Sequence, residues 1–174
     1  AYRVAQAESA PFAERSVDLV TVAQALHWFH IDAFFTEVRR VLVPGGLLAV
    51  WRYGLLSVSP PVDELIGYLY REVLGDYWPP ARRLVESGYD GLKLPFERMA
   101  VPAFSMSAHW CLPQLLGYLG TWSAVRAYRR ARGEDPLAAL SKPLGAAWGN
   151  VPVRSVQWPL TLQARRRAGG THRG

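Results

Sequence analysis

Cysteine is nearly missing from this sequence: Cys111 stands alone among 174 residues. A single thiol cannot form an internal disulfide, which favours a reducing, cytoplasmic compartment. No Cys or His lies near it at metal-ligand spacing, so it reads as a packed thiol and no metal is expected. No apolar run approaches the roughly 18 residues that span a bilayer, so no membrane partner is expected. No signal peptide is visible. There is no internal repeat, and no acidic residue follows Ala164.

What is there belongs to a folded chain. Half of the residues are hydrophobic and 20% are charged, which suits one globular domain with a real core. Seven tryptophans are many for this length, and large rings serve cores more often than pockets. The formal charge is +6, but Arg165, Arg166, Arg167 and Arg173 supply four of the basic groups, leaving the rest at +2. The end of the chain, QARRRAGGTHRG, is Gly-rich and has no core residues, so residues 163–174 read as a disordered basic tail. Basic and aromatic residues are not interleaved there, so a nucleic-acid partner is not expected; steep salt dependence of binding would favour one.

Periodicity divides the rest. Tyr2–Ala5 is short and strand-like, and Ala10–Ser16 reads as a loop. Val17–Ala23 is rich in β-branched residues and nearly all apolar, the pattern of a strand buried on both faces. Ile31, Phe34, Phe35, Val38, Val41 and Leu42 form one apolar helical stripe, with Glu37, Arg39 and Arg40 on the wet face. Pro44-Gly45-Gly46 predicts a helix stop and a turn before a second strand, Leu47–Trp51. The spacing then predicts helices over 62–74, 81–86, 113–132 and 137–148. Strands are predicted over 96–109, kinked at Pro102, and over 151–162.

The residues from Ala5 to Gly54 carry a resemblance. Ala7-Glu8 with Pro11-Phe12, Ser16–Val20, Ala25–Phe29, and Arg40-Val41-Leu42 with Pro44-Gly45-Gly46 together resemble the second half of a class I S-adenosylmethionine-dependent methyltransferase core. Within it they are similar to the type 11, trans-aconitate-methyltransferase-like branch. The marks cover about a third of the chain, and their combination is what is specific. The resemblance implies an α/β Rossmann-like sheet of order 3-2-1-4-5-7-6. Tyr2–Ala5, Val17–Ala23, Leu47–Trp51, 96–109 and 151–162 would be strands 3 to 7. Strands 1 and 2, with the Gly-rich loop after strand 1, have no match here, so the sheet reads as incomplete. Residues 1–162 would form a partial domain: 1–54 the cofactor half, 55–95 a helical substrate lid, 96–162 the last strands with their helices. Such a chain is expected to be a truncated product that binds cofactor weakly by itself. The competing reading is a non-catalytic remnant or interaction subunit, completed by a partner chain.

The resemblance also implies roles. The cofactor would be S-adenosyl-L-methionine, and methyl transfer from its sulfonium needs placement rather than a triad or metal. Gln6, Ala7 and Glu8 would cup the adenine, with Gln6 accepting through its amide oxygen where an Asp is frequent. Ala23, Gln24 and Ala25, at the carboxyl end of a strand, would line the rest of the cofactor. His27 is a candidate general base, or a structural histidine holding its loop. His30 stands where a capping Asp is frequent. Trp28, Trp51, Arg52 and Tyr53 would face a small-molecule substrate, and Arg52 could clamp a carboxylate. Tyr77 and Trp78, with Arg82 and Arg83, would belong to the lid. The arginines point to a small organic acid.

Overall fold

Val17–Ala23 does form a strand, β1, and Ile31–Val41 a helix, α1. The stripe predicted on α1 packs inward: Phe34, Phe35, Val38 and Val41 are all buried. The chain then enters β2, Leu42–Tyr53, with no loop between. Pro44-Gly45-Gly46 is thus no free turn but an irregularity at the start of that strand. Gly45 has a φ of +83°, which glycine adopts without strain, and its N–H donates to the carbonyl of Arg167 at 3.0 Å. β1 and β2 are parallel, Val20 opposite Leu48 and Val22 opposite Val50, so strand, helix and strand form a βαβ unit.

The structure is a computed structural model describing residues 2–89 and 91–169, apart from the side chains of Arg83 and Val85. The chain forms two compact units. The first comprises Ala1–Tyr53, Arg83–Phe104 and Leu160–Gly174, and the second Gly54–Arg82 and Ser105–Pro159. The fold is α/β with a Rossmann-like mixed sheet.

In the first unit the remaining strands are β3, Glu97–Met99, and the later part of β5, Arg154–Arg166. The order is β1-β2-β5-β3, and β5 runs antiparallel to both its neighbours. Leu47 pairs with Arg166 and Tyr53 with Leu160. Residues Gln163–Arg166, expected in a disordered tail, are therefore strand. The ladder of β2 takes up their N–H and C=O groups, which a composition argument ignores. Gly170–Gly174 lie outside the described residues.

The two faces of this sheet are unequally buried. Val22, Leu48 and Val50 point into a core with Leu26, Phe34, Phe35, Val38, Tyr89 and Leu94. Burying each such aliphatic side chain stabilises the fold by about 2 kcal/mol. Leu19, on the opposite face, is 51% exposed, and Leu47, Ala49 and Trp51 are half-buried. The expectation of burial on both faces is corrected for β1: α1 and the 84–96 segment pack on one side, while Leu19, Thr21 and Ala23 on the other are exposed. Tyr2–Ala5 is likewise not a strand. Tyr2 and Val4 are fully exposed, and among the described residues the nearest pairing is the Gln6–Ser9 bridge of a tight turn.

The second unit holds α2 (Pro60–Tyr68), continued by a wider π turn over Leu69–Val73, then α4 (Leu112–Gly120), α5 (Ser123–Arg132) and α6 (Ala138–Trp148). The short α3, Arg82–Glu86, begins at its boundary. β4, Phe104–Trp110, pairs with β5. The single strand expected over 96–109 is split at Val101-Pro102-Ala103, where proline withdraws a ladder donor. The single helix expected over 113–132 is split at Thr121-Trp122. Trp122 takes extended backbone angles there, and its ring meets Tyr70 at 5.7 Å and Trp78 at 5.6 Å. Aromatic packing overrides helical periodicity at that point. The last strand begins at Arg154 rather than Val151, and Val151 and Val153 stay exposed.

Candidate active site

In a parallel α/β sheet the carboxyl ends of the strands point at the ligand. Here β1 ends on Ala23 and β2 on Tyr53, side by side through the Ala23–Trp51 pair. Gln24 locks the two ends together. Its N–H donates to the Trp51 carbonyl at 2.8 Å, and its side-chain Oε1 accepts the Tyr53 N–H at 2.8 Å. It does so with a φ of +49°, a costly backbone for a non-glycine residue and a common mark of functional loops. Ala23 and Ala25 flank it with side chains too small to fill the edge.

The turn Gln6–Ser9 stands apart from those strand ends in sequence but is tied to α1. Glu8 Oε1 accepts the His30 N–H, just ahead of the helix, at 2.8 Å. That bond holds the Glu8 carboxyl below its ordinary pKa. Glu8 thereby supplies the negative charge that His30, lacking a side-chain cap bond, does not. The Glu8 carboxylate is structural, and Gln24 likewise spends its side chain on Tyr53. Gln6 is exposed and Ala7 half-buried, and both line an open groove of about 530 Å³ with Arg3, Ala10 and Phe12.

Sequence reasoning placed Glu37 on the wet face of α1, and the structure corrects this. Glu37 is 8% exposed. Arg40 grips it through Nε at 2.8 Å and Nη2 at 2.6 Å, and the Ala10 N–H donates to it at 2.8 Å. Arg40 also donates to the carbonyls of Ala10 and Phe12. Arg40, against the opposing effect of burial, holds the Glu37 carboxyl below its ordinary range. The pair pins the 10–12 loop beside the Gln6–Ser9 turn. Its only sequence signal was a Glu and an Arg three apart, which surface helices share.

Leu26–Trp28 is a single 3-10 turn. His27 is half-buried with its ring 4.7 Å from Trp28, and Trp28 is 64% exposed. Arg52 alternates with Leu48 and Val50 on the covered face of β2. Its guanidinium lies against Gly88, where a Cβ would meet Nη2 at 2.7 Å. Its Nε is buried with no hydrogen-bond partner, and no carboxylate pairs with it among the described residues. Tyr77 and Trp78 belong to the second unit. Tyr77 packs on Tyr128 and accepts from Arg132 Nε at 3.1 Å, and Trp78 stacks against Tyr70 at 4.6 Å. The proposed substrate residues thus divide between the units: Trp28, Trp51, Arg52 and Tyr53 in one, Tyr77 and Trp78 in the other.

Gly88 should be sensitive. Its φ is +74°, so alanine there is strained as well as crowding Arg52. Gly88→Ala is expected to cost about 1–2 kcal/mol in a denaturant melt. A melt unchanged from wild type would show that the backbone at Gly88 tolerates a side chain beside Arg52.

Against solved structures, the chain superimposes on a protein from Anaeromyxobacter dehalogenans assigned as a type II methyltransferase. The TM-score is 0.88 at 44% identity, over 97% of this chain and 72% of that one. The chain belongs to the class I S-adenosylmethionine-dependent methyltransferases. Residues 1–50 of this methyltransferase also match the family described as "Methyltransferase domain". A Dictyostelium discoideum protein assigned as a methyltransferase is 33% identical over 168 residues, 92% of this chain and 64% of that protein. The demethylmenaquinone methyltransferase of Corynebacterium efficiens is 38% identical over 78 residues, 44% of this chain and 32% of that enzyme. The methyltransferase chain therefore spans less than two thirds of the length of these two curated relatives. No described helix is long and apolar enough to cross a membrane.

Proposed function

We propose that this chain contributes to S-adenosylmethionine-dependent methyl transfer onto a small organic acid, with Arg52 holding the acceptor's carboxylate. The observation that carries the acceptor class is Arg52: a guanidinium at the carboxyl end of β2, its Nε buried and unmatched by any acceptor. A positive group in that state gains most from an anion that fills its fork.

The residues present fit the adenine side of the cofactor. Gln6 is exposed beside the open groove, Ala7 is half-buried beneath it, and Ala23 and Ala25 leave the strand edge unobstructed. When bound, S-adenosylmethionine supplies a methyl group already activated on a sulfonium sulfur. Gln6 would accept from the adenine amino group, and the backbone of Ala7 would meet the ring edge. Arg52 would orient the acceptor by its carboxylate, which spends binding energy on alignment rather than on chemistry. Trp28, Trp51 and Tyr53 would exclude water around it. His27 would receive the proton when the acceptor is a hydroxyl.

Arg52→Gln should lower kcat/KM for a carboxylate acceptor about 100-fold while leaving the cofactor Kd unchanged. Transfer of labelled methyl groups to a panel of small acids and their neutral methyl esters reads this out. Equal loss on acids and esters would sink the assignment of Arg52.

A further inference from the structure

We infer that Glu8, Glu37 and Arg40 are positioning residues for the cofactor: they fix the 6–12 segment to α1, and so set the affinity of a groove that none of them lines. This rests on the reading of Gln6 and Ala7 given above. The groove is walled by Gln6, Ala7, Ala10 and Phe12 among others, all from that one segment. Residues 6–12 join no strand among the described residues. Their one bridge is internal, Gln6 to Ser9, with the Ser9 N–H donating to the Gln6 carbonyl at 3.2 Å. Such a turn fixes its own shape but not its place in the fold.

Its place comes from two anchors on α1, all within the first unit. At the start of the helix, Glu8 Oε1 accepts the His30 N–H at 2.8 Å. Further along, Glu37 accepts the Ala10 N–H at 2.8 Å, and Arg40 donates to the carbonyls of Ala10 at 3.1 Å and Phe12 at 2.8 Å. The first anchor follows Gln6 and Ala7 directly, and the second holds Ala10 and Phe12. Both use ionised side chains, whose hydrogen bonds are about twice as strong as neutral ones. A surface loop without a ladder opens easily, and a ligand that must order it binds more weakly by the cost of ordering. The anchors order the segment beforehand. Ala7, packed against the core from below, is then presented to the groove in one position.

Amide NMR titration of the isotope-labelled chain with S-adenosylhomocysteine tests this, since it reads both the site and a weak Kd without any methyl transfer. In the wild type the amides of Gln6 and Ala7 should move. Glu8→Ala should weaken binding about fivefold, and Glu8→Gln, whose amide oxygen can still accept from His30, should recover most of that loss. Arg40→Lys keeps a positive charge beside Glu37 but loses the fork that reaches two carbonyls. It should weaken binding by a similar factor, and it serves if Glu8→Ala fails to fold. Unchanged affinity in Glu8→Ala or in Arg40→Lys overturns the role of that anchor while leaving Gln6 and Ala7 standing. Glu8→Gln as weak as Glu8→Ala overturns positioning by the His30 bond in the same way. Binding that moves neither amide, or no binding at all, overturns the reading of Gln6 and Ala7 and this inference with it.

Discussion

Glu37→Ala should destabilise the first unit by about 3 kcal/mol, read from the shift of its urea midpoint. The substitution strands the Ala10 N–H and leaves Arg40 without its carboxylate, and losing one partner of a buried pair costs more than the pair contributes net. The 10–12 loop should loosen with it, since Arg40 also holds the carbonyls of Ala10 and Phe12. The effect has a defined pH dependence. The folded carboxyl is lowered from about 4.5, so its contribution is complete above that value and disappears as the pH falls through the lowered one. The difference between wild type and Glu37→Ala should therefore be constant near neutrality and shrink in acid. A gap that widened on acidification would contradict the assignment.

Trp158→Ala should cost the second unit about 4 kcal/mol, the usual toll for emptying a buried tryptophan site. Trp158 is 5% exposed and sits edge-on to Trp110 at 5.0 Å and to Tyr118 at 5.7 Å. Its Nε1–H donates to the Tyr118 hydroxyl at 3.2 Å. Trp158→Phe should recover most of the loss, because ring contact outweighs one half-buried hydrogen bond worth about 1 kcal/mol. Helical circular dichroism during urea unfolding reports the unit. A phenylalanine variant as unstable as the alanine one would place the hydrogen bond, not the ring, in charge.

Much of the architecture was legible because its signals are local. The apolar stripe of α1 and the β-branched run of β1 declare themselves within a dozen residues, and the βαβ unit follows from their order. The roles around Gln6, Ala23 and Arg52 came from motif resemblance, which locates a strand end but not a side chain's partners. Glu8 and Gln24 show the difference. Both stand at motif positions, and both spend their side chains on backbone N–H groups 22 and 29 residues away. No periodicity encodes such a bond.

The sequence by itself determined where β1, α1 and β2 lie and carried, by motif, the resemblance to an α/β methyltransferase core. Short-range pattern and motif suffice for that, because each element's apolar face is written in its own residues. Tertiary structure alone decided that residues 163–166 are sheet and that Glu37 is buried. Those outcomes depend on which distant backbone pairs with which, and that pairing is settled by the collective packing of the folded chain.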